Sequence, residues 1–366
     1  MNIWISSVLT VAAFFAASGL GAAEIEQSPP QIALVGCAHI HTGGFVQRIK
    51  QNPHIKVKCV WDHDAARAKR YAGELGVPVV HDLSKIWNDP QIVAVVICSE
   101  TDRHLDLVLA AAKAKKHIYA EKPMGITAKD SDAMADAIQK AGVLFQTGYF
   151  MRGEPISQFL KQQIEAGAFG KITRIRGCTA HNGALTGLLD TDFRWMADPR
   201  QSGMGGFGDL GTHSLDLMLW LMNEPVERVT AITSPGTARY ENCDELGEGL
   251  LAFKSGAIGS LAASWDEVAN PITLEICGTQ GHAAVVNGRL YFQSTKFAGS
   301  DIKKPWTQLP PGLPHAFDLF LEAVAGKKDV PLITAPKAAY RAAVMQALYD
   351  AAKGQNWAKV QHPPGN

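Results

Sequence analysis

From residue 31 to residue 147 the chain alternates short apolar runs with amphipathic stretches, and this alternation limits the possible folds more than any other feature. Residues 31–35, 56–61, 92–98, 117–120 and 143–147 are apolar runs of strand length, and 45–50, 65–75, 104–115 and 128–141 carry helical spacing between them. Strands separated by helices predict a doubly wound, mostly parallel sheet of the dinucleotide-binding type, covered on both faces. Past Tyr149 the rhythm changes. A helix over 155–166 and a strand over 171–178 lead into an irregular glycine-rich stretch from His181 to Gly211. Strand signals then run from Val226 to Gln293, with Asn287-Gly288 as a hairpin turn. Helices are expected at 316–325 and 335–352. The expected architecture is therefore α/β: a Rossmann domain over 31–150 and an α+β domain over 151–366 with a large, mostly antiparallel sheet. The C-terminal helices are free to pack back on the first domain.

At 366 residues the chain has length for roughly two domains. Its 35 basic and 35 acidic residues leave no net field to favour nucleic acid, an anionic membrane or an acidic partner, so the ligand is expected to be small. Residues 3–19 are apolar and Gly21-Ala22-Ala23 offers a cleavage site, which reads as a signal peptide over 1–23 followed by a linker over 24–30. Export to the periplasm or the extracellular space follows; the alternative is an uncleaved leader anchoring the protein to a membrane. Met1-Asn2 carries no Lys or Arg, and there is no twin arginine. Six cysteines show no CxxC pair and no zinc spacing, so thiolate metal binding is not expected. A disulfide cannot be assigned from their positions.

Four places carry chemistry. The first strand runs into Gly36-Cys37-Ala38-His39-Ile40-His41-Thr42-Gly43, where a dinucleotide fold needs glycines for a tight turn and free amides at the helix start for phosphates. Only Gly36 is in register; Ala38 and His41 stand at the second and third glycine positions. The reading is either a phosphate turn in which Gly36, Ala38, His39 and Ile40 bind cofactor, or an ordinary turn with two incidental histidines. Asp62 ends the second strand 26 residues past Gly36, a spacing that suits hydrogen bonds to the adenosine ribose and prefers NAD to NADP. Asp64 reads as a helix N-cap. Lys122, in Glu121-Lys122-Pro123-Met124, follows an apolar strand at the end where open α/β sheets bind ligands. In the Gly205 to Asp216 stretch a helix starting near Asp209 puts Asp209, His213 and Asp216 on one face and into one pocket. There His213 can move protons with a carboxylate to orient it; the bland reading is an N-cap aspartate and a core histidine. No metal site is expected.

Together these residues resemble the Gfo/Idh/MocA family, that of glucose-fructose oxidoreductase and inositol dehydrogenase. Ala120-Glu121-Lys122-Pro123 looks like its signature after a Rossmann strand, Ser99 to His104 its preceding loop, and Phe193-Arg194-Trp195 through Asp216 its substrate-domain motif. The resemblance implies that Lys122, His213 and Asp209 are catalytic, with Asp209 orienting substrate or His213. It places Lys122 beside the nicotinamide and the reacting hydroxyl, Glu121 and Pro123 at the nicotinamide, and Ser99, Thr101 and His104 at the ribose or pyrophosphate. Tyr149, Arg152, Arg194 and Trp195 fall to the substrate. NAD is the implied cofactor, a carbohydrate the implied partner, and the C-terminal sheet the implied contact of a homo-oligomer; tight retention of NAD is what would reconcile such an enzyme with export. Three functions remain: hydride transfer to or from a sugar or cyclitol hydroxyl carbon, NAD-dependent glycoside cleavage by transient oxidation and elimination, and sugar binding without catalysis.

Overall fold

In a computed structural model that describes residues 28–361, the first domain is built from strand-helix units. In order these are β1 (Gln31–Cys37), α1 (Thr42–Gln51), β2 (Lys56–Trp61), α2 (Ala65–Leu75), the short α3 (Ser84–Trp87), β3 (Ile92–Cys98), α4 (His104–Lys113), β4 (His117–Ala120), α5 (Ala128–Ala141) and β5 (Phe145–Thr147). The strands pair in the order β2-β1-β3-β4-β5, all parallel. Burial on both faces explains why β1 and β3 are apolar nearly throughout instead of alternating. Local chemistry sets several helix ends. The Asp64 carboxylate accepts from the amides of Ala66 and Arg67 to start α2, and Gly76 closes it in the left-handed region. Thr127 caps α5, and Gly142 ends it in the same way.

The chain continues through α6 (Pro155–Glu165), β6 (Ile172–Ala180), α7 (Gly183–Thr186), a 3-10 turn at Arg194–Ala197, α8 (Pro199–Ser202) and the long α9 (Gly206–Met222). Strands β7 (Val226–Ser234), β8 (Leu246–Phe253), β9 (Ile258–Ser264), β10 (Ile272–Gly278), β11 (Gly281–Val286) and β12 (Arg289–Ser294) follow. Helices α10 (Ala316–Val324) and α11 (Ala335–Gly354) and the short β13 (Ala358–Lys359) close the chain. The second sheet runs β12-β11-β10-β6-β9-β8-β7-β13 and is antiparallel except for β6 against β9. Asn287 and Gly288 both take positive φ, 49° and 71°, which is what a tight two-residue turn between β11 and β12 requires.

Helix α9 lies on one face of this sheet, against β6 and β9. It begins at Gly206, earlier than the glycine-rich sequence indicates, and most of its length is buried. Because Asp209 sits in its first turn, the second domain presents that carboxylate toward the carboxyl ends of the first domain's strands. Phe317 and Phe320 of α10 join the aromatic core with Phe45 and Tyr119, while Ala335, Ala338 and Ala339 of α11 join the core on the other side of the parallel sheet. The C-terminal helices thereby bind the two domains to one another.

The expected leader lies outside the described residues. Among the described residues no helix is long and apolar enough to cross a membrane. All six cysteines are free.

Candidate active site

Lys122 ends up where β4 stops at the mouth of the parallel sheet, and it is only 3% exposed. Its ammonium reaches across to α9, with Nζ 2.6 Å from Asp209 Oδ1 and 3.2 Å from the Asp209 carbonyl. The other carboxylate oxygen of Asp209 accepts from Trp265 Nε1 at 3.1 Å. Burial would raise the Asp209 carboxyl, but the Lys122 charge and its hydrogen bond outweigh this and hold it far below the usual carboxylate range. Asp209 is thus an anchored anion that positions Lys122. It makes no hydrogen bond to His213, contrary to one of the two roles expected for it.

His213, one turn further along α9, is buried, and its Nδ1 has no hydrogen-bond partner. Burial, followed by the nearby Lys122 charge, pushes its pKa well below the ordinary value, so it is neutral at physiological pH. The Phe150 ring lies 5.2 Å from it and the Tyr149 ring 6.4 Å, edge-on. The Tyr149 hydroxyl is engaged with Thr212 Oγ1 at 3.0 Å, so Tyr149 packs against His213 instead of presenting its hydroxyl to substrate.

The crevice over Lys122 is lined by His39, Thr101, Pro123, Trp195, Met196, Ser202, Met204 and Asp209. Trp195 closes one side: its Nε1 donates to the Ala38 carbonyl at 3.2 Å, tying the second domain to the first strand-to-helix turn. Ile40, in the same turn, is half-buried against the second domain's core.

The dinucleotide-binding elements fit an extended, twice-negative cofactor. Gly36 has φ +83°, and a Cβ there would stand 2.6 Å from Ser99 Cβ and 2.7 Å from the Ser99 amide, so only glycine allows β1 to turn here against β3. Helix α1 starts without a side-chain cap, and Gly43 and Gly44 leave open space beside its first turn, the setting in which helix amides take phosphate oxygens. Asp62, at the end of β2, accepts from the Cys37 amide at 2.6 Å and the Asp64 amide at 2.7 Å. Arg67 grips both its oxygens and also reaches Glu100 Oε1 at 2.8 Å. This arginine was missed in the sequence, where it is one of several charges on α2.

Several expected residues lie elsewhere. Asp216 does not share the Lys122 pocket; it pairs with Arg152 and with Arg341 of α11. Arg152 is therefore held in a buried ion-pair cluster and does not reach toward substrate. Arg194 is 54% exposed, paired with Asp190 and lying over the Tyr240 ring. Both ring nitrogens of His104 face carbonyls, Nδ1 those of Pro123 and Met124 and Nε2 that of Ser99. It clasps the two loops together and does not touch the cofactor crevice. Ser99 is buried beneath Gly36 and donates to the Glu100 carbonyl. Glu121 lies beneath the crevice floor, accepting from the Lys122 amide at 2.9 Å. Trp265, Met196 and Met204 carried no signal in the sequence, because only folding brings them near Lys122.

The family model described as an oxidoreductase family with an NAD-binding Rossmann fold matches residues 31–149, and that of the GFO/IDH/MocA C-terminal domain matches 157–284. Myo-inositol 2-dehydrogenase of Thermotoga maritima is 30% identical over 71% of this chain and 76% of that protein. The scyllo-inositol 2-dehydrogenase (NAD(+)) of Bacillus subtilis is 30% identical over 63% of this chain and 66% of that protein. A levoglucosan dehydrogenase structure, in complex with NADH and levoglucosan, shares the fold with a TM-score of 0.75 at 23% identity, over 90% of this chain and 99% of that one. Matched across both domains, the chain belongs to the Gfo/Idh/MocA family of NAD-binding oxidoreductases.

Proposed function

We propose that the protein moves hydride between NAD and a hydroxyl-bearing carbon of a sugar or cyclitol. The observation that carries this reading is the buried Lys122–Asp209 pair, which spans the two domains beside a neutral His213 whose Nδ1 has no hydrogen-bond partner. When bound, NAD supplies the hydride acceptor or donor. Gly36 and the open amides of α1 hold its phosphates, and its adenosine ribose lies at the end of β2, where Arg67 and two backbone amides already hold Asp62. The Lys122 ammonium, fixed by Asp209, stabilises negative charge developing on the hydroxyl oxygen. Neutral His213 accepts the hydroxyl proton on oxidation and, once protonated, returns it on reduction. Trp195, Met196 and Met204 give the crevice an apolar wall. The relatives named as inositol and levoglucosan dehydrogenases support a cyclic polyol as substrate.

The test is NADH formation by purified protein over a panel of pyranoses, glycosides and cyclitols. At least one is expected to give turnover that falls by about two orders of magnitude or more in His213→Ala. Release of aglycone without NADH accumulation would replace this reading with transient oxidation and elimination; tight sugar binding with neither product would replace it with a binding protein.

We also propose export, supported by the apolar run and small residues before Glu24. N-terminal sequencing of the native protein should begin at or near Glu24, and an intact Met1 would refute cleavage. A homo-oligomer through the second sheet is supported by Ile232, Leu250, Ile258 and Ile272, all exposed on its strands. Light scattering that gives one chain per particle would refute it.

A further inference from the structure

Dinucleotide binding does not account for the two histidines in the first strand-to-helix turn, because that turn calls for small residues where the backbone approaches phosphate. Both rings converge on the carboxylate of Glu121. His41 Nδ1 lies 3.1 Å from Oε1, His39 Nε2 lies 3.8 Å from Oε2, and the ring centroids are 4.6 Å apart. One donor atom from each residue falls within 4.8 Å of the other two. Zinc bonds of roughly 2.0–2.2 Å place neighbouring tetrahedral ligands about 3.3 Å apart, so the three donors need only small movements to close on one ion.

Charge points the same way. Glu121 is fully buried, yet among the described residues no lysine or arginine forms an ion pair with it, since Lys122 is committed to Asp209. Beyond the Lys122 amide at 2.9 Å and the Tyr119 hydroxyl at 3.4 Å, the side-chain partners that the carboxylate has are the two imidazoles. Metal on Nε2 moves the ring proton to Nδ1 and costs the long 3.3 Å bond from the His41 amide.

We propose that His39, His41 and Glu121 bind a divalent transition-metal ion, Zn²⁺ by its donor set, with a fourth position open to the crevice that His39 lines with Lys122 and Asp209. Two imidazoles and one carboxylate form a donor set of catalytic zinc, in which water or substrate oxygen completes the shell. Assigning that fourth position to the substrate hydroxyl rests on the proposed hydride transfer; the metal site itself does not. A second cluster, Glu275, Cys277 and His282, is a poorer candidate because it is half-exposed and Arg174 and Arg176 already engage Glu275 and Cys277.

The test is calorimetric titration of chelator-stripped, full-length protein with ZnCl₂, alongside NADH binding and thermal melts. One Zn²⁺ per chain is expected, with affinity reduced by about 100-fold in His41→Ala and in Glu121→Gln, and unchanged in His282→Ala. His41 is 34% exposed but partners the buried Glu121 carboxylate, so its variant should melt below the wild type while remaining folded, and NADH binding confirms the fold. No binding below millimolar Zn²⁺, equal binding by His41→Ala and wild type, or binding lost in His282→Ala would each overturn the site. Protein that binds NADH but not Zn²⁺ refutes the metal alone. Protein that binds Zn²⁺ but oxidises no polyol refutes the hydride reading alone.

Discussion

Replacing Lys122 by methionine removes one charge and little volume, and the geometry dictates two separate consequences. Lys122 and the Asp209 side chain are 3% and 14% exposed, so the substitution strands a carboxylate that has lost its cation and keeps only the Trp265 N–H. Breaking a buried pair from one side costs about 3–5 kcal/mol. At about 2–4 °C per kcal/mol for a domain of this size, the melting temperature should fall by roughly 6–20 °C. Adding Asp209→Asn removes the stranded charge and should recover much of that loss. Turnover should behave differently. Loss of a preorganised cation at the developing oxyanion costs about 10²–10³ in kcat, and Lys122→Met/Asp209→Asn should remain as slow as the single variant because the ammonium is still absent. The assays are differential scanning fluorimetry and steady-state NADH formation, with NADH affinity unchanged within about threefold as the control. Recovery of both stability and turnover in the double variant would refute a catalytic role for Lys122 and leave the pair purely structural.

Three further outcomes follow from other contacts. Gly36→Ala introduces a Cβ 2.6 Å from Ser99 at φ +83°, so NADH affinity should fall at least about tenfold or the protein should fail to fold; a variant with wild-type affinity and melting would contradict the close approach of β1 and β3. Trp195→Phe loses the bond to the Ala38 carbonyl, worth about 1 kcal/mol, and should weaken the interdomain contact, which faster hydrogen exchange around residues 194–204 would register; unchanged exchange would contradict it. His39, His104 and His213 are all held neutral by burial, so the unfolded chain binds their protons first as pH falls. Their contribution is complete above an unfolded pKa of about 6.5; for His39, with a folded pKa of about 3, about 1.4 kcal/mol is lost by one unit below it, and His213 and His104 add losses of the same sign. Chemical denaturation should therefore show stability dropping steeply from pH 6.5 to 5.5; a flat profile would contradict neutral burial.

Where local chemistry decides an element, the sequence shows it. The bounds of α2 and α5 are legible because Asp64, Gly76, Thr127 and Gly142 mark them, and the parallel strands are legible because burial on both faces removes polar residues. The start of α9 is not, since Gly205, Gly206 and Gly208 oppose a helix by propensity and only packing against the sheet imposes one. The site follows the same division. Gly36, Asp62, Lys122, Asp209 and His213 stand out by residue type and position. Which of them touch is a matter of topology: Lys122 and Asp209 are 87 positions apart, and Asp216 is captured by Arg341 from 125 positions away. The family resemblance assigns Arg152, Arg194 and His104 to ligands, whereas in the fold Asp216, Asp190 and the loop carbonyls take them. Asp209 and Asp216 do share one face of α9, but seven residues of rise set them about 10 Å apart along its axis, far enough to serve two different neighbours.

The most direct test of the account follows the hydride itself. Purified protein and NAD are incubated with polyols deuterated at their carbinol carbons, and the cofactor is recovered for mass spectrometry. The account expects one deuterium in the reduced cofactor, transferred at least about 100-fold more slowly by the Lys122→Met and His213→Ala variants. Cofactor that binds but never acquires label, from any polyol in the panel, would contradict hydride transfer as the chemistry of this site.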